Sequence, residues 1–389
     1  MSGPPLSGIG TLIAAGTVIL EQGICRPGWL ETSGPRIVDC GSGLPPRPAD
    51  VDMPHTLVVP GFVDMHAHGG GGASYTDAND ADILRAARFH RRHGTTTTLA
   101  SLVTAPPTDL LRAVAVLAES TRAGTVAGIH LEGPWLSPTR CGAHDPTQLR
   151  DPAPAEIDAL LAAGEGTIRM VTLAPERAAS NDAITRFVDA GVIVAVGHTE
   201  ATYEQTRRAV ELGATVGTHL FNAMRPVHHR EPGPALALLE DARVTVELIA
   251  DGVHVHPAML RAVIEAAGAD RVALVTDATA AAGLGDGEFQ LGAVQIDVVE
   301  RVARVRGTST IAGSTATMDQ LFRTAAGLGS DRDTALAAAV QMTSTTPARA
   351  LGLDNVGALR AGADANLVVL DRDLQVADVM ADGEWQAER

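Results

Sequence analysis

The sequence predicts an α/β fold, a (β/α)8 TIM-type barrel with a small β-sandwich domain built from both termini. Three observations predict it. From Leu57 onward, short apolar runs alternate with stretches of helical periodicity, the pattern of parallel strands joined by helical crossovers. The apolar runs number eight, the strand count of a closed barrel. Both ends of the chain break this rhythm and read as short strands separated by turns. A doubly wound open sheet is the alternative architecture.

The barrel strands are expected at Leu57–Asp64, Thr95–Ser101, Val126–Glu132, Ile168–Leu173, Val192–His198, Thr215–His219, Val244–Ala250 and Val272–Asp277. Helices are expected between them, near Asp80–His93, Thr108–Ala123, Pro154–Ala163, Asn181–Ala190, Thr202–Leu212, Ala235–Leu239 and Pro257–Ala267. Asn79 or Asp80 suits an N-cap and Gly94 a helix stop. Gly283–Arg306 reads as a loop with a hairpin, and two helices follow near Thr315–Gly327 and Asp333–Thr343. The small domain takes residues 1–56 and 356–389, with strands at Thr11–Val18, Gly28–Glu31, Arg36–Val38 and Asn366–Leu370. The barrel takes residues 57–355.

Composition narrows the function. The chain has 389 residues, 45% of them hydrophobic, enough for one large domain and a small one. A net charge of −16 and 3% aromatics argue against a nucleic-acid partner. All 30 basic residues are arginine. Without lysine there is no Schiff base and no carboxylated-lysine metal bridge. Cys25, Cys40 and Cys141 are widely spaced and unpaired in pattern, which suits a reducing cytoplasm. The apolar run Ile9–Leu20 is too short to span a bilayer and lacks signal-peptide flanks, so a strand is expected there and no membrane partner.

Barrel chemistry gathers where strands meet the loops that follow them. The first strand runs into Asp64-Met65-His66-Ala67-His68, and the third into His130-Leu131-Glu132. The fifth ends at Gly197-His198, the sixth at Thr218-His219 and the eighth at Thr276-Asp277. Any one of these residues has an ordinary structural explanation: a lone histidine as a hydrogen-bonded side chain, Glu132 or Asp277 as a helix cap. Five such strand ends on one rim point instead to a metal site. Period-2 spacing puts His66 and His68 on one face. An ion held by Glu132, His198 and His219 would lower the pKa of water from about 15.7 to about 7, and Asp277 is placed to move the proton. If two ions bind, Glu132 is the expected bridge.

At these residues the chain resembles the N-acetylglucosamine-6-phosphate deacetylases of the amidohydrolase superfamily, over nearly its whole length. The resemblance is carried by Pro60-Gly61-Phe62-Val63-Asp64-Met65-His66-Ala67-His68-Gly69, His130-Leu131-Glu132-Gly133-Pro134, Gly197-His198-Thr199, His219-Leu220-Phe221-Asn222-Ala223-Met224, Arg230-Glu231-Pro232-Gly233 and Val275-Thr276-Asp277-Ala278-Thr279. It implies hydrolysis of the acetamide of N-acetyl-D-glucosamine 6-phosphate to D-glucosamine 6-phosphate and acetate, in amino-sugar catabolism and cell-wall recycling. It implies one or two divalent ions per chain, zinc first, with Fe2+, Mn2+, Co2+ or Cd2+ as alternatives. By the resemblance, Glu132, His198 and His219 hold the main ion. His66 and His68 bear on a second. Asp277 is the general base and acid, and His144 assists carbonyl polarisation. Asn222, Ala223, Arg230 and His254 contact the phosphate and sugar, and Ala312 lies in a loop near the sugar. Arg230 is expected near the partner's site in a homodimer.

Two residues are open in role. Cys141 is either a ligand-contacting thiol or an inert small residue. Trp135 either covers an apolar sugar face or packs its loop. Nucleobase deaminases share the His-x-His pair and the final Asp, and other N-acyl amino-sugar deacetylases are the nearer alternative. A barrel that had lost its chemistry is weighed against the retention of Glu132, His198, His219 and Asp277.

Overall fold

The computed structural model describes residues 10–386. Eight parallel strands follow one another in a single sheet: Phe62–Ala67, Thr95–Leu102, Gly128–Glu132, Ile168–Leu173, Ile193–Val196, Ala214–Gly217, Thr245–Leu248 and Val272–Leu274. The last strand closes onto the first. The Asp277 N–H donates to the His66 carbonyl at 2.8 Å, and the His68 N–H donates to the Ala278 carbonyl at 2.8 Å. Ala67 and Ala278 form a parallel bridge at the same seam. The fold is therefore the closed barrel and not the open sheet. The seam also brings two distant parts of the chain, His66–His68 and Asp277, side by side.

Helices cover the outside, at Asp80–Arg92, Pro107–Arg122, Pro154–Gly164, Ser180–Asp189, Tyr203–Glu211, Gly233–Glu240, Pro257–Ala267 and Met318–Ala326. Their starts follow local chemistry. The Asn79 side chain accepts from the Asp82 N–H at 3.0 Å, and Thr202 and Gln205 form a capping box. Pro107, Pro154 and Pro257 sit in first turns, where a missing N–H costs nothing. Inside the barrel, Val63, Met65, Leu99, Met170, Ala195, Val216 and Ala273 form one apolar cluster with Ala348 and Leu351. A helix at Thr346–Ala350 brings those last two residues to it. With apolar side chains filling that part of the barrel, the polar residues gather at the other end.

One expected strand is two. Val51–Pro60 belongs to the terminal sheet, pairing with Thr11–Leu20 and Leu367–Leu370, and the barrel begins at Phe62. Gly61 is the pivot. Its N–H donates to the Asn366 carbonyl at 2.9 Å, and a Cβ there would stand 2.2 Å from Thr96 Oγ1. The continuous apolar run across Leu57–Val63 hid this break, because a strand buried in either sheet reads the same way.

The terminal sheet has eight strands, including Arg36–Ser42 at one edge and Glu384–Trp385 at the other. It folds back on itself. The Ile37 N–H donates to the Ala363 carbonyl at 2.9 Å and the Ala365 N–H to the Pro35 carbonyl at 2.8 Å. Between the layers lie Ile13, Val18, Leu30, Ile37, Val58, Leu367 and Val369. Residues 1–9 and 387–389 of the expected terminal domain lie outside the described residues. The segment expected as a loop with a hairpin is a three-stranded antiparallel sheet, Gly287–Leu291, Val294–Val299 and Val302–Val305. No helix among the described residues is long and apolar enough to cross a membrane.

The helix Met318–Ala326 is held to the barrel by Phe322, which stacks on Phe62 at 5.4 Å, and by Asp319. Asp319 is 8% exposed, between Arg323 at 2.9 Å and His93 at 3.3 Å. Burial alone would raise its pKa, but His93, Thr317 and Arg323 outweigh burial and hold it down at about 2. A carboxyl with a depressed folded-state pKa stabilises the fold fully above its unfolded pKa of about 4, and the contribution drains as pH falls towards about 2. We therefore expect Asp319→Asn to cost about 2 kcal/mol at neutral pH. In thermal denaturation, the gap to the wild type should close between about pH 4 and pH 2. A gap independent of pH contradicts this.

Candidate metal centre

Every strand-end residue singled out in the sequence arrives at one place. Glu132 ends the third strand, and its side chain is 4% exposed. Its Oε1 lies 3.1 Å from His198 Nε2 and 3.1 Å from His219 Nε2. Its Oε2 lies 3.1 Å from His68 Nε2 and 3.3 Å from His144 Nε2. On the far side, Asp277 Oδ1 lies 3.2 Å from His68 Nε2 and 3.5 Å from His66 Nε2. Two groups result, Glu132/His198/His219 and His66/His68/Asp277. Within each, the possible ligand atoms all lie within 4.8 Å of one another. Glu132 stands between the groups with one oxygen towards each.

The spacing fits a metal. An ion with bonds of about 2.0–2.2 Å places neighbouring ligand atoms about 3–3.5 Å apart. The donor chemistry fits as well. Glu132, Asp277 and Glu247 are buried carboxylates whose ion-pair partners among the described residues are all histidines. Ionised carboxylates in such a setting call for cations.

The backbone is bent to present these groups. His198 (φ 46°), His219 (φ 26°) and Asp277 (φ 47°) are all in the left-handed region. Such conformations cost a non-glycine residue about 1–3 kcal/mol each and persist where the surroundings enforce them. Here the Ser314 N–H donates to the Asp277 carbonyl at 2.7 Å and the His219 N–H donates to Glu247 Oε2 at 3.1 Å.

Electrostatics assigns protons. Burial would raise the Asp277 pKa, but His66 and His68 more than offset it, so the carboxylate is held well below the usual range. Burial pushes the His144 ring down to about 4, against the upward pull of Glu132, so the ring is neutral. The Thr104 N–H donates to His144 Nδ1 at 3.2 Å. A neutral ring accepting at Nδ1 carries its proton on Nε2, the nitrogen that faces Glu132. His254 is the opposite case. Burial would lower its pKa, but its hydrogen bond to Asp251 at 2.8 Å wins and the net direction is upward.

The groups open into a cavity of about 380 Å³ lined by Glu132, His144, His198, His219, Asn222, Ala223, His254 and Asp277, among others. The size suits a small molecule. Thr310, Ile311 and Gly313, beyond the three-stranded sheet, line the opposite wall.

Four residues singled out in the sequence lie outside the cavity lining. Ala312 is fully buried, packs with Ile296, Val298 and Ala303, and its N–H donates to the Ala303 carbonyl at 3.0 Å. Its neighbours Ile311 and Gly313 line the cavity instead, because alternate residues of an extended segment face opposite ways. Cys141 is half-buried, with Sγ 3.9 Å from the Gly142 carbonyl, and is not among the lining residues, while Gly142 and Ala143 are. Trp135 is fully buried against Phe187 at 5.3 Å, so it packs its loop. Arg230 is exposed and pairs with His229 at 2.8 Å, outside the cavity of the single chain.

Sequence reading missed Arg140 and Glu247. Arg140 lines the cavity, and its carbonyl accepts from His198 Nδ1 at 2.9 Å. Glu247 lies in the middle of an apolar barrel strand, Val246-Glu247-Leu248, fully buried. A lone Glu in such a run was the available signal, since carboxylates are rarely buried without a partner.

A closed barrel with this constellation at one rim defines a divalent-metal-dependent hydrolase. The chain belongs to the amidohydrolase family, which residues 57–386 match. Among solved structures it is similar to an Asp-to-Ala mutant of the N-acetyl-D-glucosamine-6-phosphate deacetylase of Mycobacterium smegmatis, determined in complex with N-acetyl-D-glucosamine-6-phosphate. The two are 58% identical, with a TM-score of 0.96 over 97% of this chain and 99% of that one. It is 39% identical to the N-acetylglucosamine-6-phosphate deacetylase of Danio rerio, over 86% of this chain and 85% of the relative. It is 37% identical to the N-acetylgalactosamine-6-phosphate deacetylase of Escherichia coli O157:H7, over 93% of this chain and 96% of the relative.

Gly142 allows the His198 ring its place. A Cβ there would meet His198 Cε1 at 3.0 Å, and its φ is +59°. We expect Gly142→Ala to shift the ring and weaken metal binding by about 10-fold or more, the scale seen when a ligand's support is disturbed. Competition with a chromophoric chelator measures this, and unchanged affinity would show that the ring has room to spare.

Proposed function

We propose that the chain hydrolyses the acetamide of N-acetyl-D-glucosamine 6-phosphate, giving D-glucosamine 6-phosphate and acetate, and that it takes two divalent ions. The observation that carries this reading is the placement of Glu132 between two ligand groups: its Oε1 lies 3.1 Å from His198 Nε2 and from His219 Nε2, and its Oε2 lies 3.1 Å from His68 Nε2, which is 3.2 Å from Asp277 Oδ1. When bound, the ions acidify water and polarise the amide carbonyl. Zinc is the first expectation, since imidazole and carboxylate are among its ordinary ligands.

The chain's own groups do the rest. The ionised Asp277 carboxylate takes a proton from the attacking water and later delivers it to the amine nitrogen as the C–N bond breaks. The His144 Nε2–H donates to the carbonyl oxygen as it gains negative charge, the role of an oxyanion donor. Because the ring is neutral, His144 supplies a hydrogen bond without competing for the proton that Asp277 moves. The phosphate is held at the other end of the cavity by His254, whose Asp251 partner favours the imidazolium, and by the backbone around Asn222 and Ala223. The N-acetylglucosamine 6-phosphate named for the 58%-identical relative supports this choice of substrate.

Arg230 completes the phosphate site from a second copy of the chain in a homodimer. The support is its position: an exposed guanidinium in a loop beside exposed Val227, outside the cavity of its own chain. We place the enzyme in the cytoplasm, where Cys25, Cys40 and Cys141, all free thiols, stay reduced.

Acetate release tests the reading. The wild type should turn over N-acetyl-D-glucosamine 6-phosphate, and Asp277→Asn should lose about 10³-fold or more in kcat while keeping the ion at Glu132, His198 and His219. Wild-type turnover by that variant contradicts the proton role. Running N-acetyl-D-galactosamine 6-phosphate in parallel sets the epimer preference, and ammonia release from nucleobases should be absent. Arg230→Ala should raise KM for the phosphorylated sugar and leave KM for the unphosphorylated sugar unchanged. Equal effects on both substrates would remove Arg230 from the phosphate site.

A further inference from the structure

Each imidazole of the centre turns one nitrogen into the cluster and the other away from it. For His68 the partner of the second is the Ser101 carbonyl, 3.1 Å from Nδ1. For His198 it is the Arg140 carbonyl, 2.9 Å from Nδ1. His219 Nδ1 has no hydrogen-bond partner among the described residues. His66 alone is backed by a charge: its Nδ1 lies 3.1 Å from Glu247 Oε2.

Glu247 is an odd residue to find there. It is fully buried on the seventh strand, Thr245–Leu248. Its Oε2 is shared between His66 and the His219 N–H at 3.1 Å, and its Oε1 has no hydrogen-bond partner among the described residues. No arginine pairs with it among the described residues. A buried carboxylate so poorly satisfied costs several kcal/mol unless cations lie close by. Packing alone would be better served by an apolar side chain in this strand.

We propose that Glu247 is a positioning residue for the second ion of the pair, acting through His66. By accepting the Nδ1–H it fixes the tautomer, leaves the Nε2 lone pair facing His68 and Asp277, and raises the basicity of the ring. The other group does not depend on it in this way. Glu132, His198 and His219 include their own carboxylate, and their supported imidazole is held by backbone. The inference rests on the two-ion reading above and adds to it a division of labour: the charge of Glu247 governs occupancy at His66/His68/Asp277 and leaves the first group to bind alone.

The test uses the full-length protein, stripped by chelation and titrated with Mn2+. It compares wild type, Glu247→Gln, which keeps an acceptor for both N–H groups, and Glu247→Ala. Metal per chain is measured after gel filtration, together with the EPR spectrum and the melting temperature of the metal-free protein. The wild type should take up two ions and show a spin-coupled manganese pair. Glu247→Gln should keep the first ion, bind the second about 10–100-fold more weakly, and lose the coupled signal; Glu247→Ala, which also removes the acceptor of the His219 N–H, should weaken the second ion at least as much. The metal-free Glu247→Gln form should melt close to metal-free wild type, since Gln keeps the volume and an acceptor for both N–H groups. Should Glu247→Ala fail to fold, Glu247→Gln decides. Two ions at wild-type affinity in the variants overturn the assignment, as does parallel loss of both ions with a lower melting temperature in Glu247→Gln. A wild type that takes up one ion overturns the two-ion reading with it, whereas acetate release by the wild type tests the substrate separately.

Discussion

The carboxylate of Glu132 sits among imidazoles from four other segments of the chain, with no arginine among the described residues to pair with it. Burial would push its pKa up, but the surrounding histidines, His66 and His198 foremost, hold it well below the usual carboxylate range. Much of the architecture serves this one buried charge. The barrel must close so that His66 and His68 reach it from the first strand while Asp277 reaches them from beyond the eighth. The strand ends must kink so that His198 and His219 meet its other oxygen. Without the barrel these residues are strangers in sequence, and without the carboxylate between them they are two separate half-sites.

The support behind the centre is layered. Thr199, next to His198, donates its hydroxyl to Glu176 at 2.5 Å, and its N–H donates to the Ala223 carbonyl at 3.0 Å. The loop carrying a candidate ligand is thus tied to the loop that lines the cavity at Asn222 and Ala223. Asp64, deep in the first strand, accepts from the Thr276 hydroxyl at 2.5 Å and locks the barrel seam one residue before Asp277. A ground state assembled in this way leaves little to rearrange when substrate binds, which is how a rigid scaffold lowers the cost of positioning.

Much of this was legible in the sequence. The alternation of strand and helix gave away the barrel, and the strand-terminal His, Glu and Asp residues gave away the centre, because the barrel rule says where strand ends meet. What stayed hidden has physical reasons. The turn between two sheets at Gly61 lay inside an unbroken apolar run. Ala312 and Cys141 sit in segments whose facing depends on tertiary context, so position in a loop did not say which neighbour would reach the cavity. Glu247 belongs to no motif and acts on a residue far away in sequence, so only the fold discloses its contact with His66. Arg230 stands outside the single-chain cavity.

The central claim is that two ions lie side by side with Glu132 between them. Anomalous scattering from crystals of the zinc-loaded protein, recorded on both sides of the zinc absorption edge, tests it most directly. The account predicts two peaks about 3.5 Å apart, one beside His198 and His219, the other beside His66, His68 and Asp277, each within bonding distance of a Glu132 oxygen. Peaks elsewhere in the molecule, or a pair that Glu132 does not touch, would contradict it.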